Sequence, residues 1–478
     1  MQKRKLISSA VLIVSTLTFS ITERDVVQRA VKNSPDAKIL SVTLTADSLA
    51  YKRADAVRSL SLTAEGDVMF NPSTDVNIGA AADSTLTNSA VQYSLTAGKL
   101  LPGGGLISAS LNNGMQKNND DDAINSGALK VAVKQPLLKG GWGKGDADVN
   151  IKVAANNLTL NRLKFRNGML ETVSNSRSAF WDWVLAVKAS DIAKSEKAYA
   201  DSLKSAAVTR FRVGAGTETD TLSAAIEVLR AYEKTLAAKH RERQAKENLA
   251  FLIGANADEL TSPESEGDVP HIIEQSQALD SMKLTNYSLA ALTTAARNVT
   301  MYTENSSNSI LPAVDLSLGY SKQFAGKAPF GDNLAALTNP LKSGPFAGLS
   351  LTWDILARAD RIDNKINQTK INSTAAEKEK AEKELVFRLK QLYDAWNLDS
   401  LSLSIRDAEI VIAEKAYSQM QESYKLGAAG SLELERAKNN LINARLNRLS
   451  SEIALRKAVI VIEQVAGVAL NRFGVLIP

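Results

Sequence analysis

The chain has 478 residues, no cysteine and two histidines, and its formal charge is +5. The absence of cysteine excludes disulfide bridges, thiolate metal sites, catalytic cysteines and a lipidated N-terminal cysteine, and His240 and His271 are too few for a histidine metal cluster. Without the three basic residues at positions 3–5, the 57 basic residues fall to 54 against 52 acidic ones, so nothing indicates a nucleic-acid partner. The composition disfavours an enzyme and predicts neither a cofactor nor a bound metal.

The N-terminus has the features of an export signal. A short basic segment, Met1–Lys5, precedes a mostly apolar stretch, Leu6–Phe19. This stretch is too short to cross a bilayer core of about 30 Å as a helix. It predicts a secretory signal peptide over residues 1–20, with cleavage near Thr18-Phe19-Ser20. A retained anchor is the alternative.

Three short segments recur at one offset along the chain. Phe180–Trp183 matches Tyr393–Trp396, Phe211–Gly214 matches Tyr424–Gly427, and Ile253-Gly254 matches Ala466-Gly467. The distance along the chain from the first member to the second is the same in all three pairs. A common offset without an insertion predicts two internal structural repeats.

Each repeat contains segments with coiled-coil spacing. Leu385, Leu389, Leu392 and Trp396 follow one another at steps of 4, 3 and 4, and no proline occurs anywhere within Asp146–Arg210. At about 1.5 Å per residue, a helix of that length approaches 100 Å. The spacing predicts long helices that pack as coiled coils.

Four segments alternate apolar and polar residues with a period of two, as half-buried strands do. They are Leu60–Ala64, Leu129–Val133, Val314–Tyr320 and Leu349–Trp353. Val91–Leu101 and Leu106–Asn112, on either side of Pro102-Gly103-Gly104-Gly105, predict an added hairpin in the first repeat. This hairpin either extends an extracellular loop or adds strands to the barrel. About eight strands are the minimum for a membrane barrel, so four per chain would require several protomers to share one barrel.

The order of these features resembles that of the TolC-like outer-membrane efflux protein family. A signal peptide and two copies of helix–strands–helix occur together with [Tyr/Phe]-x-x-Gly turns between coiled-coil helices. Further matches are Ser34-Pro35 in an opening helix, Leu311-Pro312 entering a strand and Gln135–Gly141 leaving one. The resemblance covers essentially the whole mature chain.

The resemblance implies an α+β membrane protein that forms a homotrimer. The expected architecture is an outer-membrane β-barrel with about four strands per protomer, or more if the added hairpin joins it, continued by a long periplasmic α-helical coiled-coil barrel. The implied function is that of an outer-membrane exit duct in a tripartite efflux pump or a type I secretion system. Its partners would be outer-membrane lipid, a periplasmic adaptor (membrane fusion) protein and an inner-membrane RND, ABC or MFS transporter. A soluble periplasmic coiled-coil adaptor or structural protein is the alternative.

On this interpretation the chain divides into successive segments. They are the signal peptide (1–20), a periplasmic helix (21–58), strands and extracellular loops (59–140), long periplasmic helices (141–260), a linker and helix of the second repeat (261–308), its strands (309–356), its long helices (357–470) and a C-terminal tail (471–478).

The resemblance also implies functional roles for the turns between the long helices. In the family these turns lie at the periplasmic end, where adaptor hairpins pack. The predicted docking turns are Val213, Gly214, Ala215 and Gly216, and Leu426, Gly427, Ala428, Ala429 and Gly430. Helix capping by the glycines is the simpler explanation of the same residues.

Acidic residues follow both turns at the same distance. Asp220 and Glu433 are predicted to line the periplasmic aperture as a negative, cation-selective ring, with Glu218 and Glu435 as alternatives. Arg210 and Arg436 are their expected partners in a closed state. Stabilisation of the helix dipole by the same acids is the competing explanation.

The tryptophans divide into two groups. Trp181, Trp183 and Trp396 have helical spacing and predict coiled-coil packing. Trp142, Tyr320 and Trp353 lie near strand ends, where either an interfacial aromatic belt or ordinary packing would explain them.

Overall fold

The computed structural model describes residues 20–75, 84–118, 124–264, 271–326, 342–426 and 428–475. Two compact units account for these residues. The helical unit comprises the described parts of Met1–Thr43, Leu163–Leu289 and Ala381–Pro478, and the sheet unit comprises those of Leu44–Arg162 and Ala290–Lys380. The predicted signal peptide, apart from Ser20, lies outside the described residues.

Helices make up most of the fold. They are α1 (Glu23–Asn33), α2 (Pro35–Asp55), α3 (Asp146–Arg212), α4 (Glu218–Ile253), α5 (Gln275–Thr285), α6 (Tyr287–Ser309), α7 (Arg358–Lys425), α8 (Ser431–Val465) and α9 (Ala469–Arg472). With 67 and 68 residues, α3 and α7 are each about 100 Å long. The absence of proline between Asp146 and Arg210 therefore predicted one continuous helix correctly. Of the described helices, none combines the length and apolar character that a membrane crossing requires.

Aromatic side chains of α3 form the centre of the helical unit. Trp183 is 1% exposed and Trp181 is 3% exposed, and the Phe180 ring meets Trp181 edge to face with 5.3 Å between centroids. The guanidinium of Arg456 lies 4.2 Å from the centre of the Trp181 ring. In a neighbouring cluster, Trp396 packs against buried residues that include Leu389. The prediction that these tryptophans pack the coil is confirmed.

A buried group of charges joins α3 to the C-terminal helices. The Arg177 Nη1 donates to Glu463 Oε2 at 2.6 Å, and its Nε donates to Glu23 Oε1 at 2.5 Å. Glu463 also accepts from Arg472, and the Arg177 guanidinium lies 4.8 Å from the centre of the Phe473 ring. Because Arg177 and Glu463 are both nearly inaccessible to solvent, each charge depends on its partners.

The sheet unit contains one six-stranded antiparallel sheet in the order of the chain. Its strands are β1 (Ser61–Asp75), β2 (Ser84–Leu100), β3 (Leu106–Asn118), β4 (Ile124–Pro136), β5 (Ala313–Gly326) and β6 (Lys342–Thr352). The four alternating segments lie in β1, β4, β5 and β6, as predicted. The added hairpin forms β2 and β3 between β1 and β4, so the described part of the chain places six strands in one sheet, and the number of strands in the barrel stays a prediction.

The register separates apolar from polar residues. Directly paired residues of antiparallel strands lie on the same face. One complete row across the sheet is Leu62, Ala97, Ala109, Val131, Tyr320 and Pro345, and the adjacent row on the opposite face is Thr63, Thr96, Ser110, Lys130, Ser321 and Gly344. The period-two alternation of the sequence therefore produces one apolar and one polar face.

Of the three aromatic residues predicted near strand ends, Trp142 follows β4 and Trp353 follows β6, whereas Tyr320 lies in the middle of β5, and all three side chains are exposed. Trp142 is 73% exposed, Trp353 is 56% exposed and Tyr320 is 45% exposed. Packing within the chain therefore does not explain these residues, and their place in an interfacial belt stays a prediction.

The connection from β4 to α3 is anchored by Asn308 of α6. Its side-chain Oδ1 accepts from the Gly140 N–H at 2.7 Å, and its Nδ2 donates to the Leu138 carbonyl at 3.1 Å. Both contacts fall in the segment after Pro136, where β4 ends. This segment includes most of Gln135–Gly141, which was predicted to leave a strand.

Candidate functional site

The first turn between long helices lies where α3 ends and α4 begins. The Ala215 N–H donates to the Arg210 carbonyl at 2.8 Å, and the Gly214 N–H donates to the Phe211 carbonyl at 3.0 Å. Gly214 has a φ of 75°, which L-residues rarely adopt. The bond from Ala215 back to Arg210 is typical of a glycine-terminated helix end.

The second turn lies between α7 and α8 and repeats this pattern. The Ala428 N–H donates to the Ser423 carbonyl at 2.8 Å, which is the bond of the first turn displaced by the repeat offset. The Leu426 N–H donates to the Glu422 carbonyl at 3.0 Å. Gly427, predicted as a docking residue, lies outside the described residues.

Asp220 and Glu433 both cap the helix that follows their turn. The Asp220 carboxylate accepts from the Thr217 hydroxyl at 2.7 Å and from the Thr217 N–H at 3.1 Å. The Glu433 carboxylate accepts from the Gly430 N–H at 3.1 Å. The Thr217 hydroxyl and N–H and the nearby Arg210 together hold the pKa of Asp220 below its usual range. The capping explanation therefore holds within one chain, and the aperture role stays a prediction.

Arg210 reaches across to the other helix pair. Its Nη1 donates to the Tyr424 hydroxyl at 2.9 Å, and its guanidinium lies 4.7 Å from the centre of the same ring. This contact joins the end of α3 to the end of α7. Arg436, the other predicted partner, is exposed on α8.

One cavity of about 480 Å³ includes residues from both turns. It brings together six of the predicted residues, namely Arg210, Ala215, Gly216, Asp220, Ala429 and Gly430. The described residues Val213, Gly214, Leu426, Ala428, Glu433 and Arg436 are not part of its lining. The two turns therefore form one site rather than two separate caps.

A pair of carboxyl groups lies at the inner end of this cavity. Glu435, predicted only as an alternative to Glu433, lines the cavity together with Glu227 of α4. Burial raises the pKa of Glu435, and the adjacent charge and hydrogen bond of Glu227 raise it further, against the opposing effect of Arg230 and Lys234. Two carboxyl groups in contact favour a state in which one is protonated.

A second buried charge lies farther along α8. The Lys438 Nζ sits 2.8 Å from the centre of the Tyr199 ring. Burial lowers the pKa of Lys438 to about 8, although the charges of Glu196 and Glu227 oppose this shift. Burial and the hydrogen bond of the Tyr199 hydroxyl to Tyr417 raise the pKa of Tyr199, so its ring faces the lysine in the neutral form.

Sequence reasoning missed both clusters because their members lie far apart in the chain. Glu227 lies in α4 and Glu435 in α8, and Tyr199 and Lys438 lie in α3 and α8. The usable signal was the repeat offset, which aligns α4 with α8. The offset identifies equivalent positions in α4 and α8, but it does not identify which side chains are in contact.

The comparisons with known proteins agree with this architecture. Residues 80–255 match the family model described as outer membrane efflux protein. No curated protein matches the chain in sequence.

Several solved structures share the fold over nearly the entire chain. The outer-membrane channel OprN matches with a TM-score of 0.69 and 13% identity, covering 93% of this chain and 89% of that chain. The outer membrane protein VceC from Vibrio cholerae matches with a TM-score of 0.67 and 12% identity, covering 93% and 96%. The open state of the MtrE outer membrane channel from Neisseria gonorrhoeae matches with a TM-score of 0.64 and 13% identity, covering 93% and 88%.

At such low identity these structures establish the fold. The family model matches β2 to β4 and both helices of the first turn. The sequence of residues 80–255 is therefore similar to the outer membrane efflux protein family, and the fold over nearly the entire chain is similar to that of these channel structures.

Proposed function

We propose that the protein is the outer-membrane exit duct of an efflux pump or a type I secretion system. It conducts substrates passively from an inner-membrane RND, ABC or MFS transporter and a periplasmic adaptor to the outside, and it is not an enzyme. The helices extend into the periplasm, with the two turns at the end that meets the adaptor. The match of residues 80–255 to the outer membrane efflux protein model and the shared fold support the duct function, and the shared cavity at the turns supports a single docking and gating region.

The observation that carries the proposal is the pair of unpartnered apolar stripes on the long helices. On α4, Leu222, Ile226, Leu229 and Leu236 are each at least 50% exposed. On α7, Leu398, Leu401, Ile405 and Ile412 are 58–70% exposed. Their spacing of three, four and seven positions is that of coiled-coil seams. A single chain leaves these seams in water, whereas a closed ring of copies buries them.

The open edges of the sheet support the same assembly. Among the described residues, β1 and β6 each pair along one edge only. An open edge within hydrocarbon leaves amide and carbonyl groups without partners, at a cost of several kcal/mol each. In a homotrimer, each chain would pair with the open sheet edge of the next chain and bury its apolar helix stripes. The two repeats of each chain would each contribute one helix pair.

Fractionation tests the proposal directly. We expect the protein in the outer membrane as a trimer that runs differently on gels after heating. Recovery of the wild-type protein as a soluble periplasmic monomer would contradict the duct and favour the adaptor alternative. Crosslinking in cells should recover a periplasmic adaptor and an inner-membrane transporter with the trimer.

A matched pair of variants tests the seam. Leu229→Glu places a charge within the α4 stripe and should reduce the fraction of trimer on unheated gels. Arg241→Glu changes an exposed residue of α4 outside the stripe and should leave that fraction unchanged. Equal trimer fractions in the two variants would show that the stripe is not the interface.

A further inference from the structure

The added hairpin is an integral part of the sheet. β2 pairs with β1 from Ser61↔Gly98 to Asp75↔Ser84, and β3 pairs with β4 from Leu106↔Lys134 to Gln116↔Ile124. No residue is skipped in either register. The hairpin therefore separates β1 from β4, which would otherwise be neighbours.

Side-chain hydrogen bonds join the hairpin to neighbouring segments at two levels along the strands. In the middle of the strands, the Asn113 Nδ2 donates to the Tyr93 hydroxyl at 2.5 Å and to Asn125 Oδ1 at 2.7 Å, which joins β2, β3 and β4. At the turn, the Gly103 carbonyl accepts from the Trp142 N–H at 3.1 Å and from the Gln135 Nε2 at 3.2 Å. The turn between β2 and β3 is thus held at the end of the sheet where β4 leads into α3.

The two faces of the sheet continue through the hairpin, with Asn113 and Asn125 as polar exceptions on the apolar face. Leu95 of β2 pairs with Leu111 of β3, which pairs with Leu129 of β4. On the opposite face, Thr96 pairs with Ser110, which pairs with Lys130. A hairpin lying in water beside the barrel would not require an apolar face in register with that of β4.

We infer that β2 and β3 stand in the wall of the barrel, so that three chains close a barrel of eighteen strands. This inference rests on the proposed trimeric duct. Six strands are too few to close alone, and the free edges of β1 and β6 must be paired within hydrocarbon. In the trimer, β6 of one copy pairs with β1 of the next.

The consequence is a wide exit through the outer membrane. With strands about 4.8 Å apart and tilted by about 40°, twelve strands give a barrel about 24 Å across and eighteen strands give about 36 Å. The cross-section more than doubles, and porins of comparable strand number enclose a water-filled channel. The polar face lines this lumen, which is wide enough for bulky hydrophilic cargo such as a polypeptide.

Thiol labelling of neighbouring positions tests the inference, because the chain has no cysteine of its own. Leu111→Cys lies on the apolar face and Ser110→Cys lies on the polar face of the same strand. In trimers reconstituted in phospholipid vesicles, a water-soluble maleimide should label Ser110→Cys at least tenfold faster than Leu111→Cys. Equal labelling would place the hairpin in water outside the wall and overturn the inference, as would protection of both positions.

Electron cryomicroscopy of the wild-type trimer provides a test that needs no variant. Eighteen strands in the membrane wall would support the inference. Twelve strands with the hairpin outside the wall would overturn it and leave the trimeric duct intact. A protein that forms no membrane trimer at all would instead contradict the proposed function.

Discussion

At the scale of single residues, the unusual feature is a lysine inside the helix bundle. Lys438 has its Nζ against the Tyr199 ring and lines a cavity of about 640 Å³ between α3, α7 and α8. Burial penalises its charge, and the carboxylates of Glu196 and Glu227 compensate only in part. At neutral pH this side chain therefore destabilises the fold relative to an apolar residue.

We predict that Lys438→Met stabilises the protein at pH 7. The pKa of about 8 in the fold lies below the ordinary value of 10.5, so the unfolded chain binds more protons between these values and wild-type stability rises with pH there. The gain in the variant should be about 1 kcal/mol at pH 7, after allowance for partial solvent screening, and should shrink as the pH approaches 10. Thermal unfolding of both proteins at pH 7 and pH 9.5 measures this. An equal gain in stability at pH 7 and pH 9.5 would show that the charge of Lys438 does not cause the destabilisation.

At the scale of elements, two kinds of junction fix the long helices. The ion cluster around Arg177 holds α1, α3, α8 and α9 together, and the turns end α3 and α7 at defined residues. The ion cluster depends on buried charges that must remain paired. The turns depend on a backbone conformation that glycine adopts without strain.

Removing one partner of the buried pair should be more harmful than removing both. Arg177→Met leaves Glu463 buried beside Arg472 alone and should cost about 3–5 kcal/mol. The double variant Arg177→Met with Glu463→Met should recover most of that loss, because no unpaired buried charge remains. A double-mutant cycle of denaturant unfolding measures the coupling. Additive losses would mean that the two side chains do not depend on each other.

Gly214 should be required for docking more than for folding. A Cβ at this position meets no neighbouring atom within 4 Å, and the strain at a φ of 75° costs an L-residue about 1–2 kcal/mol. Gly214→Val should therefore leave trimers assembled and reduce adaptor crosslinking. Gly140→Val is the control, because Gly140 has a φ of 78° with equally open space but lies between β4 and α3. Equal loss of crosslinking in both variants would indicate strain rather than docking.

At the scale of the whole molecule, the proposed threefold assembly brings three copies of each turn together. Asp220 and Glu433 cap their helices, and the proposed assembly would place three copies of each acid near one another. Since the pKa of Asp220 is lowered, its charge should persist as the pH falls below the usual range of aspartate. A cation-selective aperture should thus stay selective under acidic conditions.

We predict that Asp220→Asn with Glu433→Gln weakens cation selectivity and block by multivalent cations. Both amides keep an oxygen that accepts the capping hydrogen bond, so trimer stability should change by no more than about 1 kcal/mol. Single-channel recording in planar bilayers measures selectivity and block. Unchanged values in the double variant would show that the acids act only as caps and that other residues form the constriction.

The sequence by itself determined the local elements and their order. Heptad spacing and the absence of proline predicted α3, period-two alternation predicted the strands, and glycines at a common offset predicted where α3 and α7 end. These features depend on residues close together in the chain. The position of the turn residues was therefore predictable, including the capping role of Asp220 and Glu433.

Only the tertiary structure decided which distant residues meet. The pairs Glu227–Glu435, Tyr199–Lys438 and Arg177–Glu463 each join residues far apart in the chain, and they depend on the relative rotation of helices that no local spacing encodes. The same holds for the hairpin, since its sequence allows either a loop or wall strands. The structure shows that the hairpin pairs with β1 and β4 in one sheet, because a strand is completed by its neighbours rather than by its own residues, and its place in a barrel wall stays our inference.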